Sequence, residues 1–335
     1  MVKINNFVKH CGGQIRPLLI DSALTKHTGI FNPSILVNPH SPNSLLINIR
    51  HCQYTILHAE LQKYEHEFGP LVYLNPENDM TLTTTNYIGQ YDLDMNKISH
   101  PARVDTSAHD AKKPLWTFVG LEDARLVHWS NNLYLTGVRR DTTTNGQGRM
   151  ELSKVTLDAD IIKETHRVRI PAPFPNTSYC EKNWMPILDR PYTYVKWTNP
   201  TEVVEYDPTE NKTTTIYQTK KPFPFSHGDL RGGSQLIPYG NDYYIAVLHV
   251  TDLFKSEAGR KNGHYHHVFV AWNRHNFNIV KISPVFSFMG CMIEFCAGLA
   301  FHSDHFYLTF GVQDNAAYIL KCDASTIMEF IFDNG

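Results

Sequence analysis

Apolar and polar residues follow one another along the chain in a unit that recurs. The unit consists of a short polar cluster, an apolar segment of strand length, a turn rich in Gly, Asn, Asp, Ser or Pro, and a second apolar segment. Two apolar runs separated by such a turn predict a β-hairpin. Five copies of the unit occur, at residues 32–50, 120–138, 181–197, 231–249 and 296–312.

A strand–turn–strand unit that repeats along a chain is typical of radial or solenoid arrays. Five units, each with room for about four strands, predict an all-β fold, a five-bladed β-propeller, whose ring closes and leaves only short protected edges. We expect a single domain over residues 1–335, with outer strands of the first blade at 54–57 and 71–74. The polar segment around 75–113 is predicted to be a long loop or insertion. A large β-sandwich is the alternative fold.

The repeat also places polar residues at equivalent points of the five units. In a propeller, equivalent strand ends converge on one mouth of the central channel, so these residues are expected to form one polar pocket. Those that precede or open the first strand of a unit are Asn32, Glu122, Asp123, Lys182, Asn183, Arg231 and Glu294. Those near the end of the second strand are Arg50, Arg139, Arg140, Lys196, His249 and Asp314.

The charges at this predicted mouth suggest acid–base chemistry and anion binding. Asp123 beside Glu122 is the best candidate for a general acid, because burial or a neighbouring carboxylate can raise the pKa of a carboxyl group. The alternative is a structural acid pair held by Arg125, which is also a candidate for binding the substrate. Trp184 is a candidate for stacking on a sugar ring, with core packing as the alternative. A cationic set suits a phosphate or sugar phosphate, and it comprises Arg50, Arg139, Arg140, Lys182, Lys196, Arg231 and His249.

Composition narrows the function classes. Hydrophobic residues make up 42% of the chain, and the formal net charge of −2 gives no electrostatic argument for nucleic acid or an anionic membrane. No apolar run approaches the roughly 18 residues that a membrane span needs. Six sparse cysteines without a Cys-x-x-Cys pair favour reduced thiols and a cytoplasmic location. The run His264-Tyr265-His266-His267 is weighed as a metal site, but no acidic metal motif accompanies it, so neither a metal nor another cofactor is predicted.

Four short runs resemble one known family in the family's own order. The run Glu122-Asp123-Ala124-Arg125 resembles the Glu-Asp-Pro-Arg signature of the family-130 glycoside hydrolases and mannoside phosphorylases, which are five-bladed propellers. The segment 181–186 is similar to their Lys-Asn…Phe-Pro element. Residues 244–250 resemble their Tyr-His-Gly-Val strand, with His249 on the histidine, and 310–314 resembles their Tyr-Gly-Ala-Ala-Asp.

The resemblance implies an inverting reaction in which Asp123 donates a proton, in the phosphorylases through a sugar hydroxyl, while inorganic phosphate attacks the anomeric carbon. Related mannosyltransferases use the same propeller with a nucleotide-sugar donor. Three positions depart from the family pattern. Ala124 stands in place of proline, Phe31 where the phosphorylases commonly carry arginine, and Leu248 in place of tyrosine.

These departures alter part of the family's phosphate site and favour a transferase over a phosphorylase. We therefore expect an inverting enzyme that transfers a glycosyl group from a sugar-phosphate or nucleotide-sugar donor to a glycan or other hydroxyl acceptor, with Asp123 as general acid or base. An inverting hydrolase, with Glu294 as the partner carboxyl of Asp123 or Glu122, is one alternative. A glycan-binding propeller without catalytic activity is the other. The sequence leaves the sugar, the linkage and the oligomeric state open.

Overall fold

Twenty-three β-strands and three short helices form the regular structure of the computed structural model, which describes residues 3–25, 28–55, 72–73, 81–158, 161–255 and 261–333. The helices are α1 Phe7–His10, α2 Ser22–Thr25 and α3 Ala324–Phe332. The first twelve strands are β1 Gln14–Leu18, β2 Ile30–Val37, β3 Ser44–Cys52, β4 Tyr54–Thr55, β5 Val72–Tyr73, β6 Leu82–Asp92, β7 Ala102–Asp105, β8 Phe118–Val119, β9 Glu122–Trp129, β10 Asn132–Arg139, β11 Arg149–Asp158 and β12 Ile161–Arg169. The others are β13 Met185–Pro186, β14 Thr193–Trp197, β15 Glu202–Asp207, β16 Lys212–Gln218, β17 Ile237–Tyr239, β18 Tyr243–Lys255, β19 Lys261–Asn273, β20 Ile279–Ile282, β21 Glu294–His302, β22 His305–Val312 and β23 Ala316–Asp323.

The strands form the five blades of a β-propeller, as the repeat predicts. Strands β2-β3-β6-β7 make the first blade, β9 to β12 the second, β13 to β16 the third, and β17 to β20 the fourth. The fifth blade consists of β21, β22 and β23, and β1 from the start of the chain is its outermost strand. The β1–β23 register runs from Gln14 opposite Lys321 to Leu18 opposite Ala317, so the two ends of the chain close the ring together.

The prediction of a long loop around 75–113 is wrong over much of its length. Strands β6 and β7 lie in this segment and form the outer half of the first blade. The threonines of β6 are good strand formers, and its buried positions alternate with half-buried ones, so few large apolar residues suffice. The outer strands predicted at 54–57 and 71–74 are instead the pair β4–β5, and residues 56–71 and 74–80 lie outside the described part of the chain.

The first two blades are joined at their outer edges. Strands β7 and β12 pair in parallel, with Val104 opposite Ile162 and Asp105 opposite Lys163. The sheets of these two blades are therefore continuous, whereas the third, fourth and fifth blades are separate four-stranded sheets. The join encloses charged residues, which bear on the predicted cationic set below.

Neighbouring blades pack through apolar faces. Between the fourth and fifth blades, Val247 and Phe269 lie in one buried cluster with Phe310 and with Phe330 of α3. The ring of Phe7 in α1 lies 4.5 Å from that of Phe286 in the same cluster. Full burial of one phenylalanine side chain stabilises a fold by about 1.5–3 kcal/mol. The helices at both ends of the chain thus seal the blade that closes the ring.

Polar side chains tie the innermost strands together around the axis. The hydroxyl of Ser34 donates to the carbonyl of Ala124 over 2.7 Å, and that of Thr309 donates to the carbonyl of Pro33 over 2.7 Å. Gln235 accepts from the backbone of Leu299 over 3.2 Å. These buried bonds join the first blade to the second and fifth, and the fourth to the fifth. They give the mouth of the channel a rigid floor.

None of the helices in the described residues combines the length and the apolar character that crossing a membrane requires. The longest of them, α3, has nine residues.

Candidate active site at the mouth of the propeller

The inner strands of three blades enter the mouth through an unusual backbone conformation. Asn32, Asp123 and Asn183 have φ values of 45°, 47° and 60°, and Asp314 after β22 has 47°. Asn and Asp tolerate this left-handed region better than other residues with a side chain. In the first two blades the strand pairing also shifts at this point, as it does in a β-bulge. Bulges re-aim side chains, and strained residues cluster at functional sites.

Asp123 is the centre of the site. Its Oδ1 accepts from Nη1 of Arg50 over 2.7 Å and from Nδ2 of Asn32 over 2.8 Å. Burial opposes ionisation of Asp123, but the charges of Arg50 and Arg125 and the bond from Asn32 outweigh it and lower the pKa of this carboxyl. Asp123 is therefore ionised at neutral pH.

Two neighbours hold the partners of Asp123 in place. Phe31 is buried with its ring 4.7 Å beneath the guanidinium of Arg50. A side chain on Gly311 would overlap the Asn32 amide oxygen, so this close approach needs glycine. Phe31 thus supports Arg50, at the position where the resemblance would lead one to expect arginine.

The pKa of Glu122 is shifted in the opposite direction to that of Asp123. Burial raises its pKa, and the Asp123 charge adds to the rise, whereas Arg50, Lys182 and Arg140 oppose it. Its Oε2 lies 3.8 Å from Nη2 of Arg50, a much looser contact than that of Asp123. Neighbouring carboxyls whose environments push their pKa values apart form a candidate acid and base.

Asp314 from the fifth blade is a third carboxyl at the same mouth. Tyr54 donates to its Oδ2 over 2.7 Å. Burial raises the pKa of Asp314, and Asp123 adds to this effect, while Tyr54 and Arg50 oppose it. The charge of Asp123 raises the pKa of Asp314, and Arg50 lowers the pKa of both, so the second and fifth blades each place a carboxyl near Arg50.

His249 is neutral. Burial lowers its pKa to about 3, with further lowering by the charges of Lys182, Arg125 and Arg231. The prediction that His249 belongs to a cationic set is therefore wrong. Its ring stacks on Tyr265 at 5.7 Å between centroids, with the planes 8° apart. A neutral imidazole in this position can donate one hydrogen bond and accept another.

Three cations border the acids. The charge of Lys182 lowers the pKa of both Glu122 and His249, and the charge of Arg140 lowers the pKa of Glu122. Arg231 exchanges two backbone hydrogen bonds of 3.0 Å with His249. The side chain of Arg140 is held by the Gly146 carbonyl at 3.0 Å. Residues from the second, third and fourth blades therefore place positive charge around the carboxyls.

Comparison with solved structures identifies the fold. The chain superposes on β-1,2-mannobiose phosphorylase from Listeria innocua with a TM-score of 0.53 and 13% identity, covering 91% of this chain and 92% of that one. A structure from the GH130 family of mannoside phosphorylases, which contains hydrolases that target β-1,2 mannosidic linkages in Candida mannan, gives 0.58 and 11%, covering 89% and 85%. A glycosyl hydrolase from Bacteroides ovatus gives 0.56 and 11%, covering 89% and 85%.

The chain has a GH130-type propeller fold. No protein-family profile and no curated protein sequence matches it. At 11–13% identity the shared property is the fold, and the chemistry rests on the residues of the site.

Two predicted cations pair with other acids and have no contact with the carboxyls at the mouth of this GH130-type propeller. Arg139 is 3% exposed and pairs with Glu151 at 2.9 Å and Asp141 at 3.3 Å, at the join between the first two blades. Lys196 pairs with Glu202 at 3.1 Å on the adjacent strand. Arg139 is the last residue of β10, and Arg140, which follows it directly, is the one whose charge lowers the pKa of Glu122 at the mouth.

Trp184 and Glu294 also have structural roles. Trp184 is 1% exposed, donates to Glu181 over 3.0 Å and packs on Tyr194, so it has no face for a sugar. The buried carboxylate of Glu294 accepts the backbone N–H groups of three residues in the preceding loop, among them Met289 at 2.8 Å and Cys291 at 3.0 Å. The prediction that Glu294 is a catalytic partner of Asp123 is not supported, because this loop occupies its oxygens.

Arg125 lies beneath the site and not in it. It is 1% exposed, and it donates to the backbone carbonyl of Asp123 over 2.6 Å and to that of Gly233 over 2.9 Å. It therefore connects the second and fourth blades across the axis and fixes the backbone of Asp123. This is a positioning role, different from the predicted contact with substrate.

Tyr54 and Tyr265 are site residues that sequence reasoning missed. Tyr54 was assigned to an outer strand, and Tyr265 stands inside the histidine-rich run that suggested a metal. In that run, His266 contacts Lys3 and Ser287, and His267 is buried against Phe288. Within the described residues, no group of three or more His, Cys, Asp or Glu side chains is arranged to hold a metal ion.

Proposed function

We propose that the protein is an inverting glycosyltransferase that uses a phosphorylated sugar donor, with Asp123 as the general base. The observation that carries the proposal is the geometry of Asp123, whose Oδ1 accepts from Arg50 over 2.7 Å and from Asn32 over 2.8 Å, which favours the ionised form. The cations Lys182, Arg140 and Arg231 act on the neighbouring Glu122 and His249. A base must be ionised before reaction, and a departing phosphate needs positive charge.

The reaction follows from this arrangement. Asp123 accepts the proton of the acceptor hydroxyl as its oxygen bonds to the anomeric carbon. The bond between that carbon and the donor phosphate breaks on the opposite side, so the configuration inverts in one displacement. The phosphate leaves as an anion, and Lys182 and Arg231 neutralise it. A base of low pKa suffices because the hydroxyl becomes acidic as its oxygen bonds to carbon.

The low pKa of Asp123 argues against its predicted role as the proton donor. An acid in a phosphorylase or hydrolase holds its proton at neutral pH, which requires a raised pKa. In this site the raised values belong to Glu122 and Asp314. A transferase needs neither of them as an acid, because a phosphate leaving group departs without a proton.

Hydrolysis is the second candidate, and the properties of Glu122 and Asp314 favour it. Either of them could protonate a leaving sugar while Asp123 activates a water molecule. An inverting hydrolase of this kind needs its two carboxyls roughly 6.5–9.5 Å apart. The GH130 neighbours include hydrolases that target mannosidic linkages, so mannosides are the first substrates to test for this candidate.

A donor screen tests the proposal. The protein is incubated with nucleotide hexoses, hexose 1-phosphates and nitrophenyl mannosides, with and without hydroxyl acceptors. We expect glycoside product and release of the donor phosphate, stimulated by acceptor and lowered roughly 100- to 10,000-fold in Asp123→Asn. Asp242→Asn, an exposed aspartate in the turn between β17 and β18, is the matched control and should be fully active. Release of nitrophenol with no use of any phosphorylated donor would overturn the proposal in favour of hydrolysis.

A further inference from the structure

A cavity of about 380 Å³ opens between the third and fourth blades, next to the carboxyl site. The residues that line it include Glu181, Lys182, Asn183, Lys196 and Trp197 on the side of the third blade and Arg231 and Gly232 on the side of the fourth. Its volume lies within the roughly 300–1,000 Å³ of small-molecule sites. The charges of Lys182 and Arg231 also lower the pKa of His249 at the mouth. These two residues therefore form a wall that the cavity shares with the carboxyl site.

The wall that the two sites share carries unused capacity to bind an anion. Lys182 is exposed and has neither a hydrogen bond nor an ion pair with any described residue. The Nε of Arg231 is buried without a hydrogen-bond partner in the same part of the chain, and its guanidinium makes only a 4.0 Å contact with Asp229. A buried donor without a partner is unfavourable, so a ligand that accepts a hydrogen bond from it gains affinity.

The lining of the cavity also includes an exposed indole. Trp197 is 41% exposed, whereas Trp129, Trp184 and Trp272 are fully buried. Its Nε1 donates to the carbonyl of Asn199 over 3.2 Å, which holds the edge of the ring while its side chain remains partly open to solvent. No other aromatic ring among the described residues stacks on Trp197. An oriented, uncovered indole is a platform for a planar ligand.

We propose that this cavity binds the nucleoside diphosphate part of the donor, with the base on Trp197 and the diphosphate on Lys182 and Arg231. The inference rests on the proposed function and specifies its donor. Inorganic phosphate would use the cations but not the indole. A neutral glycan would use the indole but not the cations. A nucleotide uses both and directs its sugar towards Asp123.

Binding of GDP, UDP and ADP, measured by calorimetry, tests the subsite without any need for turnover. We expect at least one of them to bind, and Trp197→Ala to weaken it by about 5- to 150-fold, the range found for stacking of one base on an aromatic ring. Trp197→Phe should retain most of the affinity. Phe174→Ala, which removes a 96% exposed aromatic outside the cavity lining, is the control and should bind as the wild type does.

Inorganic phosphate separates the two halves of the subsite. Lys182→Ala should weaken both the nucleoside diphosphate and phosphate, whereas Trp197→Ala should weaken the nucleoside diphosphate alone. Equal affinity for nucleoside diphosphates in the wild type and in Trp197→Ala would overturn the inference, as would the absence of binding. Binding of an oligosaccharide lost in Trp197→Ala, with no nucleotide binding, would assign the cavity to the acceptor instead.

The two proposals can fail separately. If hexose 1-phosphates support transfer that depends on Asp123, and Trp197→Ala transfers as well as the wild type, the transferase stands and the nucleoside subsite is wrong. If nucleoside diphosphates bind in a Trp197-dependent manner but no donor is turned over, the subsite stands and the proposed function is wrong.

Discussion

The Nη1 of Arg50 lies 2.7 Å from Oδ1 of Asp123, although 73 residues separate the two in sequence. Arg50 comes from the first blade and Asp123 from the second, so the ion pair forms only when the ring is assembled. Its consequence is electrostatic, because the arginine keeps a buried carboxylate ionised. The account of the site depends on this pair.

Removal of Arg50 should change the pH dependence of the enzyme. Arg50 lowers the pKa of both Asp123 and Glu122, so Arg50→Gln should raise both values. A base is active above its pKa, and the acid limb of the kcat/KM profile should therefore move to higher pH. Arg16→Gln, which changes an exposed arginine bonded to Asn96, should leave the profile in place. An unmoved acid limb in Arg50→Gln would show that Asp123 is not the base.

Arg139 and Arg140 are adjacent in sequence and should respond oppositely to replacement. Arg139→Ala leaves Glu151 buried without its 2.9 Å partner, which typically costs about 3–5 kcal/mol of unfolding free energy. Arg140→Ala should cost less than about 1 kcal/mol but weaken binding of the donor roughly tenfold. Urea denaturation and donor binding measure the two effects. If Arg139→Ala weakened donor binding and Arg140→Ala lowered the stability instead, Arg139 would be the residue that binds the donor.

Glu294 should matter for stability more than for catalysis. In Glu294→Gln an amide nitrogen replaces one of the oxygens that accept backbone N–H groups from Phe288, Met289 and Cys291. Loss of one such bond to a charged group costs about 1.5–3 kcal/mol. We expect a lower urea midpoint and a kcat within about threefold of wild type. If kcat collapsed while the midpoint stayed unchanged, Glu294 would be the base of a hydrolase.

His249 should stay neutral across the physiological range. With a pKa of about 3, its ring carries no charge at pH 5–8, and His249→Gln should leave the affinity for phosphate nearly unchanged. A difference between the imidazole NMR spectra of the wild type and this variant identifies the His249 signal. Titration of that signal near pH 6.5 would contradict the buried, neutral ring.

The five blades could be predicted from the sequence, because each blade has to bury two apolar strands and the apolar pattern therefore repeats. The repeat also predicted that Asn32, Asp123, Lys182 and Asp314 lie at one mouth, because equivalent positions of the blades converge there. The outer strands β6 and β7 were missed because β6 begins with three threonines and an asparagine after one leucine, and β7 has only four residues, so neither shows a long apolar run.

Which of two adjacent residues faces the mouth could not be predicted from the sequence. Arg139 ends β10 and Arg140 is the first residue after it, and only the pairing of Arg139 with Glu151 on the next strand shows that Arg139 is turned away from the mouth. Tyr54 reaches Asp314 only through ring closure, 260 residues apart in sequence. The lowered pKa of Asp123 likewise needs the distances to Arg50 and Asn32, which no sequence pattern supplies.

The most direct test of the central claim is the anomeric configuration of the product, followed by NMR from the first turnovers in the wild type and in Asp123→Asn. The account predicts that an α-linked phosphorylated donor gives a β-linked glycoside, that the donor phosphate is released in equal amount, and that Asp123→Asn is slower by roughly 100-fold or more. A product that retains the donor's configuration, or an Asp123→Asn variant as fast as the wild type, would contradict it.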